Sequence, residues 1–285
     1  MANGQIRVED AVVDYSAGRG ASHRVLNRIN LEIGSGEFVS IVGKTGCGKS
    51  TLLRLILGEE RPTGGRVLVN DQVRAHPDRL CGYVPQKYSL FPDKTVLANV
   101  VFGLDVSEFG PLSFFSPQRR RRMREFRATA LLYLERTGLT ESDAGKYPHQ
   151  LSGGMQQRVA IAQALIMKPP ILLMDEAFSA LDPGTRKEMQ SLMKDLWRSS
   201  GTTVVFVTHN TEEAVCLGSR VIVLSGNSPG EGSRVALDLP VGNLDFGSHP
   251  EDIRNLAEQI DRAMLPGLHV ESTAAEMSLA YGNAT

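Results

Sequence analysis

The sequence predicts an α/β fold built around a mainly parallel β-sheet. Three short apolar runs, at residues 37–42, 171–175 and 203–207, have the length and composition of buried strands. Each is followed by glycine or polar residues, and parallel sheets bind their ligands at the carboxyl ends of the strands. The chain of 285 residues is long enough for one large domain, or two small ones, with a sizeable core.

The composition is typical of a soluble globular protein and gives no indication of a nucleic-acid-binding or membrane-spanning chain. Hydrophobic residues make up 41% of the chain and charged residues 22%, and the formal net charge of −1 gives no global indication of nucleic-acid or membrane binding. No apolar run approaches the ~20 residues that span a bilayer, and the N-terminus lacks the order of a signal peptide. Three scattered cysteines, Cys47, Cys81 and Cys216, favour a reduced, cytosolic chain.

A glycine-rich loop joins the first predicted strand to a predicted helix that ends before Gly58. Its pattern, Gly43-x-x-x-x-Gly48-Lys49-Ser50, matches the phosphate-binding P-loop, and the strand–helix context argues against a chance match. The glycines let successive backbone N–H groups converge on phosphate oxygens, and the helix start adds partial positive charge. We expect Lys49 to reach the β and γ phosphates and the Ser50 hydroxyl to bind Mg²⁺. The loop alone does not distinguish kinases, GTPases and ATPases.

The second strand ends in two carboxylates, and the third is followed closely by a histidine. Asp175 is placed to support Mg²⁺, and Glu176 can act as a general base on an attacking water. The alternative is a solvated acidic pair at a strand end, which the upstream P-loop disfavours. His209 either contacts a γ phosphate and the attacking water or is an ordinary surface histidine, and its position alone leaves both open.

The segment "LSGGMQQR", residues 151–158, predicts a helix start that exposes a second anion site. Ser152, Gly153 and Gly154 leave several N–H groups uncovered. One nucleotide cannot occupy both anion sites within a single fold of this size. The sequence therefore predicts that two copies face each other and that each closes the P-loop of the other. The apolar stripe of the same helix is formed by Met155, Val159, Ala162 and Ile166.

These segments together resemble the ATP-binding subunit of an ABC transporter. "GKTGCGKST" is similar to the Walker A motif, "ILLMDE" to Walker B, "LSGGMQQR" to the ABC signature and "SALD", residues 179–182, to the D-loop. Gln86 matches the Q-loop and His209 the H-loop, and Tyr15, ahead of the first β segment, matches the aromatic residue that stacks on adenine. The resemblance implies a RecA-like P-loop NTPase core, an antiparallel β subdomain and an inserted α-helical signature subdomain. It implies a nucleotide-binding domain over 5–225, with the helical subdomain at about 87–165, and a short extension over 226–285.

The resemblance also implies a role for each matching residue. Glu176, His209 and Lys49 would be catalytic, and Asp182 of the D-loop would bridge the dimer interface. Mg²⁺ would be supported by Ser50, Gln86 and Asp175, and the signature residues Ser152, Gly153, Gly154 and Met155 would bind ATP of the opposite protomer. The ATP-binding residues would be Tyr15, Gly43, Lys44, Thr45, Gly46, Cys47, Gly48, Lys49, Ser50, Thr51 and Gln86.

The segments at 89–104 and 147–165 resemble bacterial importers, especially those for nitrate, sulfonates and taurine. The resemblance implies a homodimer or pair of nucleotide-binding subunits at the cytoplasmic face of the inner membrane, with separate transmembrane permease subunits. A periplasmic or extracellular solute-binding protein would act indirectly, and no nucleic-acid partner is implied. The alternative is a soluble ABC ATPase that acts on nucleic acid or ribosomes, but the second such domain, coiled coils and zinc-binding insertions usual in that class are not seen in this sequence.

Two segments outside the motifs are predicted to be helical. In the first, which starts after Ser116, an apolar face is accompanied by many arginines. These form either a solvated basic face or, with Phe114 and Phe115, a contact with lipid headgroups or the permease. Near the C-terminus, a strand-like "VALDLP" precedes a helix from about residue 250 to 265, and residues 272–285 are expected to fray. The apolar face of the first helix is formed by Met123, Phe126, Ala130 and Leu134.

Overall fold

The computed structural model describes residues 4–16, 22–87, 90–109, 116–179, 181–225, 230–242, 244 and 249–264. Phe114, Phe115 and residues 272–285 lie outside these ranges. The strands are β1 (Ile6–Ser16), β2 (Ser22–Ile33), β3 (Phe38–Gly43), β4 (Gly64–Val69), β5 (Gln72–Val73), β6 (Cys81–Val84), β7 (Ile171–Asp175), β8 (Thr203–Val207), β9 (Arg220–Leu224) and β10 (Val235–Pro240). The helices are α1 (Lys49–Leu57), α2 (Val96–Glu108), α3 (Pro117–Arg136), α4 (Gly153–Leu165), α5 (Pro183–Ser200), α6 (Thr211–Leu217) and α7 (Pro250–Ala263), with short 3-10 turns at Glu141–Asp143 and Pro148–Gln150.

The central sheet confirms the predicted parallel architecture. Its strand order is β10-β9-β3-β8-β7-β6, and every neighbouring pair from β9 to β6 is parallel. Strands β3, β7 and β8 are buried along their whole length, which explains why they are apolar without alternation. Their carboxyl ends bring the P-loop, the acidic pair and the histidine to one edge of the sheet.

A second, antiparallel sheet has the order β2-β1-β4-β5. Its inward residues, such as Ile6 and Ile29, share one core with the buried face of α1 and with Ile41 of the central sheet. Helix α5 covers the opposite face of the central sheet through Met189 and Met193. The central sheet thus carries apolar layers on both faces, as an α/β fold requires.

Helices α2, α3 and α4 form a further layer with its own apolar cluster. Phe126, Ala130 and Leu134 are buried in it as predicted, and Met123 packs against it. Ser116 caps α3 by accepting a hydrogen bond from the backbone N–H two residues further along the chain. The helical layer forms around the faces that the apolar spacing indicates.

The basic face of α3 is only partly solvated. Arg119 donates to both oxygens of Asp105, at 2.9 and 2.6 Å, and Arg122 donates to both oxygens of Glu108, at 2.6 and 2.8 Å. These two arginines join α3 to the acidic end of α2, whereas Arg120 is exposed. The prediction of a solvated basic face is corrected for Arg119 and Arg122, because the acidic last turn of α2 lies beside them.

The C-terminal segment packs on the core. Strand β10 pairs antiparallel with β9 and forms the outer strand of the central sheet. The predicted apolar positions Ile253, Leu256 and Ile260 of α7 are all buried, in a cluster with Ala214 and Val215 of α6. Helix α7 therefore supports the helix that follows His209.

A buried arginine caps the C-terminal end of α1 by donating hydrogen bonds to its last carbonyl groups. Arg74 is 7% exposed, and its guanidinium donates to the carbonyl oxygens of Ile56 at 3.1 Å and Leu57 at 3.0 Å. It also donates to Asp78 at 2.7 Å. The two carbonyls belong to the last turn of α1, where they lack partners within the helix.

Replacing Arg74 by methionine is expected to lower the free energy of unfolding by about 2–4 kcal/mol, because it leaves two carbonyls without a donor. The matched control is Arg66→Met, which removes a surface ion pair with Glu9 and should cost at most about 1 kcal/mol. Urea denaturation of the two variants and the native protein measures the difference. Equal losses for both variants would contradict the assignment of Arg74 as the donor that closes α1.

Candidate functional site

The P-loop holds a backbone conformation that depends on glycine. Gly48 has a φ of 98°, and a Cβ at this position would lie 2.6 Å from Leu26 and 2.9 Å from Val25. No side chain caps the start of α1, so the first N–H groups of the helix have no side-chain acceptor from the capping residue. This arrangement is suited to binding an anion at the helix N-terminus.

Lys49 folds back over this loop. Its side chain is buried, and Nζ donates to the carbonyl oxygens of Gly43 at 2.8 Å and Lys44 at 3.1 Å. Both hydrogen-bond partners are neutral, and the Asp175 carboxylate interacts with Lys49 electrostatically. A desolvated ammonium group with neutral partners gains from a phosphate ligand, because charge-assisted hydrogen bonds are the stronger ones.

Ser50 and Asp175 meet at the edge of the sheet. The Ser50 hydroxyl donates to Oδ1 of Asp175 over 3.1 Å. Burial raises the pKa of Asp175 above its ordinary value, and the hydrogen bond from Ser50 partly opposes this effect. A desolvated carboxylate beside a hydroxyl oxygen fits Mg²⁺, which prefers oxygen ligands and takes one or two carboxylates together with phosphates and water. Within the described ranges, no group of three or more His, Cys, Asp or Glu side chains could hold a metal ion on its own.

Glu176 is the meeting point of three segments of the chain. Its Oε2 accepts a hydrogen bond from Nε2 of Gln86 at 2.9 Å and lies 3.5 Å from Nδ1 of His209. Glu176 directly follows β7, has a φ of 45° and donates its backbone N–H to Val207 of β8 at 2.9 Å. The left-handed backbone thus brings this side chain to residues that follow β6 and β8. A carboxylate held in this way can accept a proton from a bound water.

Tyr15 lies within β1, one residue before the strand ends, so its expected place ahead of the first strand is corrected. The antiparallel pairing of β1 with β2 continues to Ser16, which is why Tyr15 is part of the strand. Burial raises the pKa of Tyr15, and a hydrogen bond between its hydroxyl and Glu60 acts in the same direction. The side chain also interacts with Thr51 of α1, so the ring lies beside the P-loop helix with 38% of the residue exposed.

The signature residues make their hydrogen bonds within their own segment and not with the P-loop. Ser152 caps α4 by accepting from the backbone N–H of Met155 at 3.3 Å, and Asp182 caps α5 by accepting from Thr185 at 3.1 Å. Among the hydrogen bonds of the described residues, none joins 152–155 to 43–51. The structure thus brings together Lys49, Ser50, Gln86, Asp175, Glu176 and His209, but not the signature or Asp182.

A separate cleft lies at the opposite ends of the strands. It has a volume of about 570 Å³ and is lined by residues such as Pro170, which precedes β7, and Thr202, which precedes β8. Its cationic residues, Arg136 and Lys168, are exposed. None of the predicted site residues lines this cleft, so the candidate site is the edge at the carboxyl ends.

Comparison with known proteins identifies the family. The family model described as "ABC transporter" matches residues 26–179, which is more than half of the chain. This chain belongs to the ABC transporter family. Its ABC fold has the expected antiparallel and parallel sheets, and the chain is an ATP-binding protein and a transport ATPase.

Two curated relatives have import functions in their names. The spermidine/putrescine import ATP-binding protein PotA of Vibrio cholerae is 43% identical over 213 residues, which cover 73% of this chain and 53% of PotA. The probable sulfate/thiosulfate import ATP-binding protein CysA of Chlorella vulgaris is 40% identical over 216 residues, covering 75% of this chain and 86% of CysA. This ABC protein thus spans about half the length of PotA and most of CysA.

A solved ABC structure has the same fold. It is the ATP-binding cassette MJ0796 in a dimeric, post-hydrolysis state bound to ADP and Pi. The two proteins are 35% identical with a TM-score of 0.71, and the match covers 84% of this chain and all of the other. Among the described residues of this ABC protein, no helix is both long enough and apolar enough to cross a membrane.

A buried polar cluster next to His209 was not predicted from the motifs. Thr208, Glu213 and Gln190 are 2%, 6% and 6% exposed and are linked by hydrogen bonds through Glu213. The available signal was the pair Glu212-Glu213 at the start of a short helix, where acidic residues are common for reasons of the helix dipole. Because this explanation applies equally to both glutamates, the sequence does not indicate that Glu213 is buried and Glu212 exposed.

Proposed function

We propose that this chain is the ATP-hydrolysing subunit of an importer for small solutes of the nitrate, sulfonate or taurine type. It would act at the cytoplasmic face of the inner membrane through separate permease subunits. The proposal is carried by the convergence of Gln86 and His209 on Glu176 beside a P-loop. Through Gln86, the proposed catalytic carboxylate is connected to the chain segment that leads into α2. The named import functions of PotA and CysA support the importer class, although their solutes differ from the type proposed.

The proposed chemistry is in-line hydrolysis of ATP. Glu176 accepts a proton from water as the water oxygen bonds to the γ phosphorus, and the bond from that phosphorus to the bridging oxygen breaks. The products are ADP and inorganic phosphate. Lys49 and the P-loop N–H groups hold the phosphates, His209 orients the attacking water, and Tyr15 stacks on adenine. Mg²⁺, when bound near Ser50, Asp175 and Gln86, would neutralise phosphate charge.

The proposed active unit is a dimer of two copies, with residues 5–225 as the nucleotide-binding domain. The lack of a hydrogen bond between 152–155 and the P-loop among the described residues of one chain supports this arrangement. The start of α4 in one protomer then supplies N–H groups to the γ phosphate held by the other. ATP binds the closed pair better than the open pair, and this difference drives closure. Asp182 lies at the proposed interface between the two copies.

The proposed permease contact is the groove that adjoins Gln86. This groove has a volume of about 360 Å³ and lies between β6 and helices α2 and α4, with Tyr83, Pro85 and Phe102 in its lining. Pro85 directly precedes Gln86, so a segment bound in the groove would sense movement at the hydrolytic site. An extracytoplasmic solute-binding protein would deliver the solute to the permease.

We expect ATP hydrolysis to be stimulated by solute when the chain is reconstituted with its permease and a solute-binding protein. Phosphate release in vesicles should rise with taurine, an alkanesulfonate or nitrate, and the permease without the solute-binding protein is the control. Stimulation by spermidine or sulfate instead would support the proposed importer function but contradict the proposed class of solute. Co-purification with ribosomes, with no effect of any permease, would favour the soluble ABC ATPase instead.

A further inference from the structure

A buried carboxylate connects α5 with α6 behind the proposed catalytic edge. Glu213 is 6% exposed, and both of its oxygens are engaged. Nε2 of Gln190 donates to Oε1 at 2.6 Å, and the hydroxyl of Thr208 donates to Oε2 at 2.5 Å. Burial of a carboxylate is costly unless its oxygens have partners, so this group is held in one position by the donors around it.

The same residue contacts both neighbours of His209 in the chain, and the backbone N–H of Thr208 also donates to Ile41 of β3 at 3.2 Å. Thr208, before His209, donates to Glu213 and accepts from the backbone N–H of Asn210 at 3.1 Å. Asn210, after His209, accepts with its side chain from the backbone N–H of Glu213 at 2.9 Å. The His209 side chain itself is 59% exposed and lies 3.5 Å from Glu176. Its location therefore depends strongly on the flanking residues, since its own side chain is mostly solvated.

The other side of the cluster is anchored in α5. Gln190 is 6% exposed and lies eight positions after Asp182, which caps this helix. One turn further along, Nζ of Lys194 donates to the carbonyl oxygens of Cys216 in α6 at 3.0 Å and Leu244 at 2.5 Å. Helices α5 and α6 are thus joined by two buried polar links. A displacement of α5 would be transmitted to the segment that carries His209.

We propose that Glu213 is a positioning residue for His209 and that it acts through Thr208, with Gln190 tying this position to α5. The inference rests on the proposed role of His209 in hydrolysis. Glu213 and Gln190 do not touch ATP in this scheme. They hold the histidine at the distance from Glu176 at which both can contact one water. Because α5 begins after Asp182, the same link makes the histidine position depend on the proposed dimer interface.

The first test removes the link while retaining the shape of the side chain. Thr208→Val should lower kcat by about tenfold or more, because small displacements of catalytic groups cost up to ~100-fold in rate. Thr208→Ser keeps the hydroxyl and should stay within about twofold of the native kcat, and ATP affinity should change by less than about twofold in both variants. A folded Thr208→Val protein with native kcat would overturn the proposal.

The second test separates positioning from stability. Glu213→Met should lower both kcat and the thermal midpoint, because it leaves buried donors on Gln190 and Thr208 without their acceptor. Adding Gln190→Met removes one of those two donors and should recover part of the lost thermal stability, but not kcat. If kcat returned together with stability, Glu213 would have a purely structural role. Glu212→Gln, at the exposed neighbour on α6, is the control and should leave both quantities unchanged.

His209→Ala distinguishes failure of this inference from failure of the proposed function. If His209→Ala hydrolysed ATP at the native rate, the proposed role of the histidine would be wrong. If His209→Ala lost hydrolysis while Thr208→Val retained it, only the positioning role of Glu213 and Thr208 would be wrong.

Discussion

Replacing Glu176 by glutamine is expected to lower the ATP turnover number by about 10²–10⁴-fold, the range found for loss of a general base. The amide has the size of the carboxylate and can still accept a hydrogen bond from Gln86, but it cannot take a proton from water. The P-loop and Lys49 are unaffected, so ATP affinity should remain within about threefold of native. ATP should therefore accumulate between two copies that cannot reopen, and the variant should become a stable dimer in ATP.

Phosphate release measures the turnover, and light scattering with and without ATP measures the dimer. Glu212→Gln is the matched control, because the same substitution is made at an exposed residue close to the site. Native-like hydrolysis by Glu176→Gln would overturn the assignment of the base.

In the Glu176→Gln background, Ser152→Asp should abolish the dimer because it adds a negative charge opposite the γ phosphate. Ser152→Asn tests the charge alone, since both residues are good helix caps. A dimer that persists in Ser152→Asp would contradict binding in trans.

Replacing Lys49 by alanine is expected to weaken ATP binding by about 10- to 100-fold. Hydrogen bonds to charged groups contribute about 1.5–3 kcal/mol, and every ~1.4 kcal/mol is a factor of ten in affinity. The native side chain is buried and bound only to the carbonyl oxygens of Gly43 and Lys44 among the hydrogen bonds of the described residues. Removing it therefore takes a desolvated charge out of the fold, and the variant should remain folded.

Titration calorimetry gives the ATP affinity of this variant, and a thermal midpoint establishes that it is folded. Lys187→Ala removes an exposed lysine from α5 and should leave the affinity unchanged. An affinity for ATP within about twofold of native in Lys49→Ala would mean that the loop does not hold phosphate as proposed.

The parallel sheet was predictable because its strands are buried on both faces. Such strands are continuous apolar runs, and three of them were visible in the sequence without any structural information. The pairing of Arg119 and Arg122 with α2 was not predictable from helical spacing. Spacing gives the face of a helix that a residue occupies, but it does not identify the neighbouring helix.

The members of the candidate site were also predictable, whereas their contacts were not. Gln86 and Glu176 are ninety positions apart, and only the folded sheet brings their side chains to 2.9 Å. The buried cluster around Glu213 was missed because the residue resembles a common acidic residue at a helix start. Short motifs identify groups that meet a ligand, but not the groups that hold them in place.

The positive φ of Glu176 has a consequence for engineering this protein. A residue other than glycine in the left-handed region is disfavoured by about 1–2 kcal/mol, and glycine or asparagine would relieve that penalty. Directed evolution for heat resistance alone would therefore favour exchange of this residue and would discard the group proposed to turn over ATP. Thermostability screens of this protein should hold codon 176 constant or select for activity in the same round.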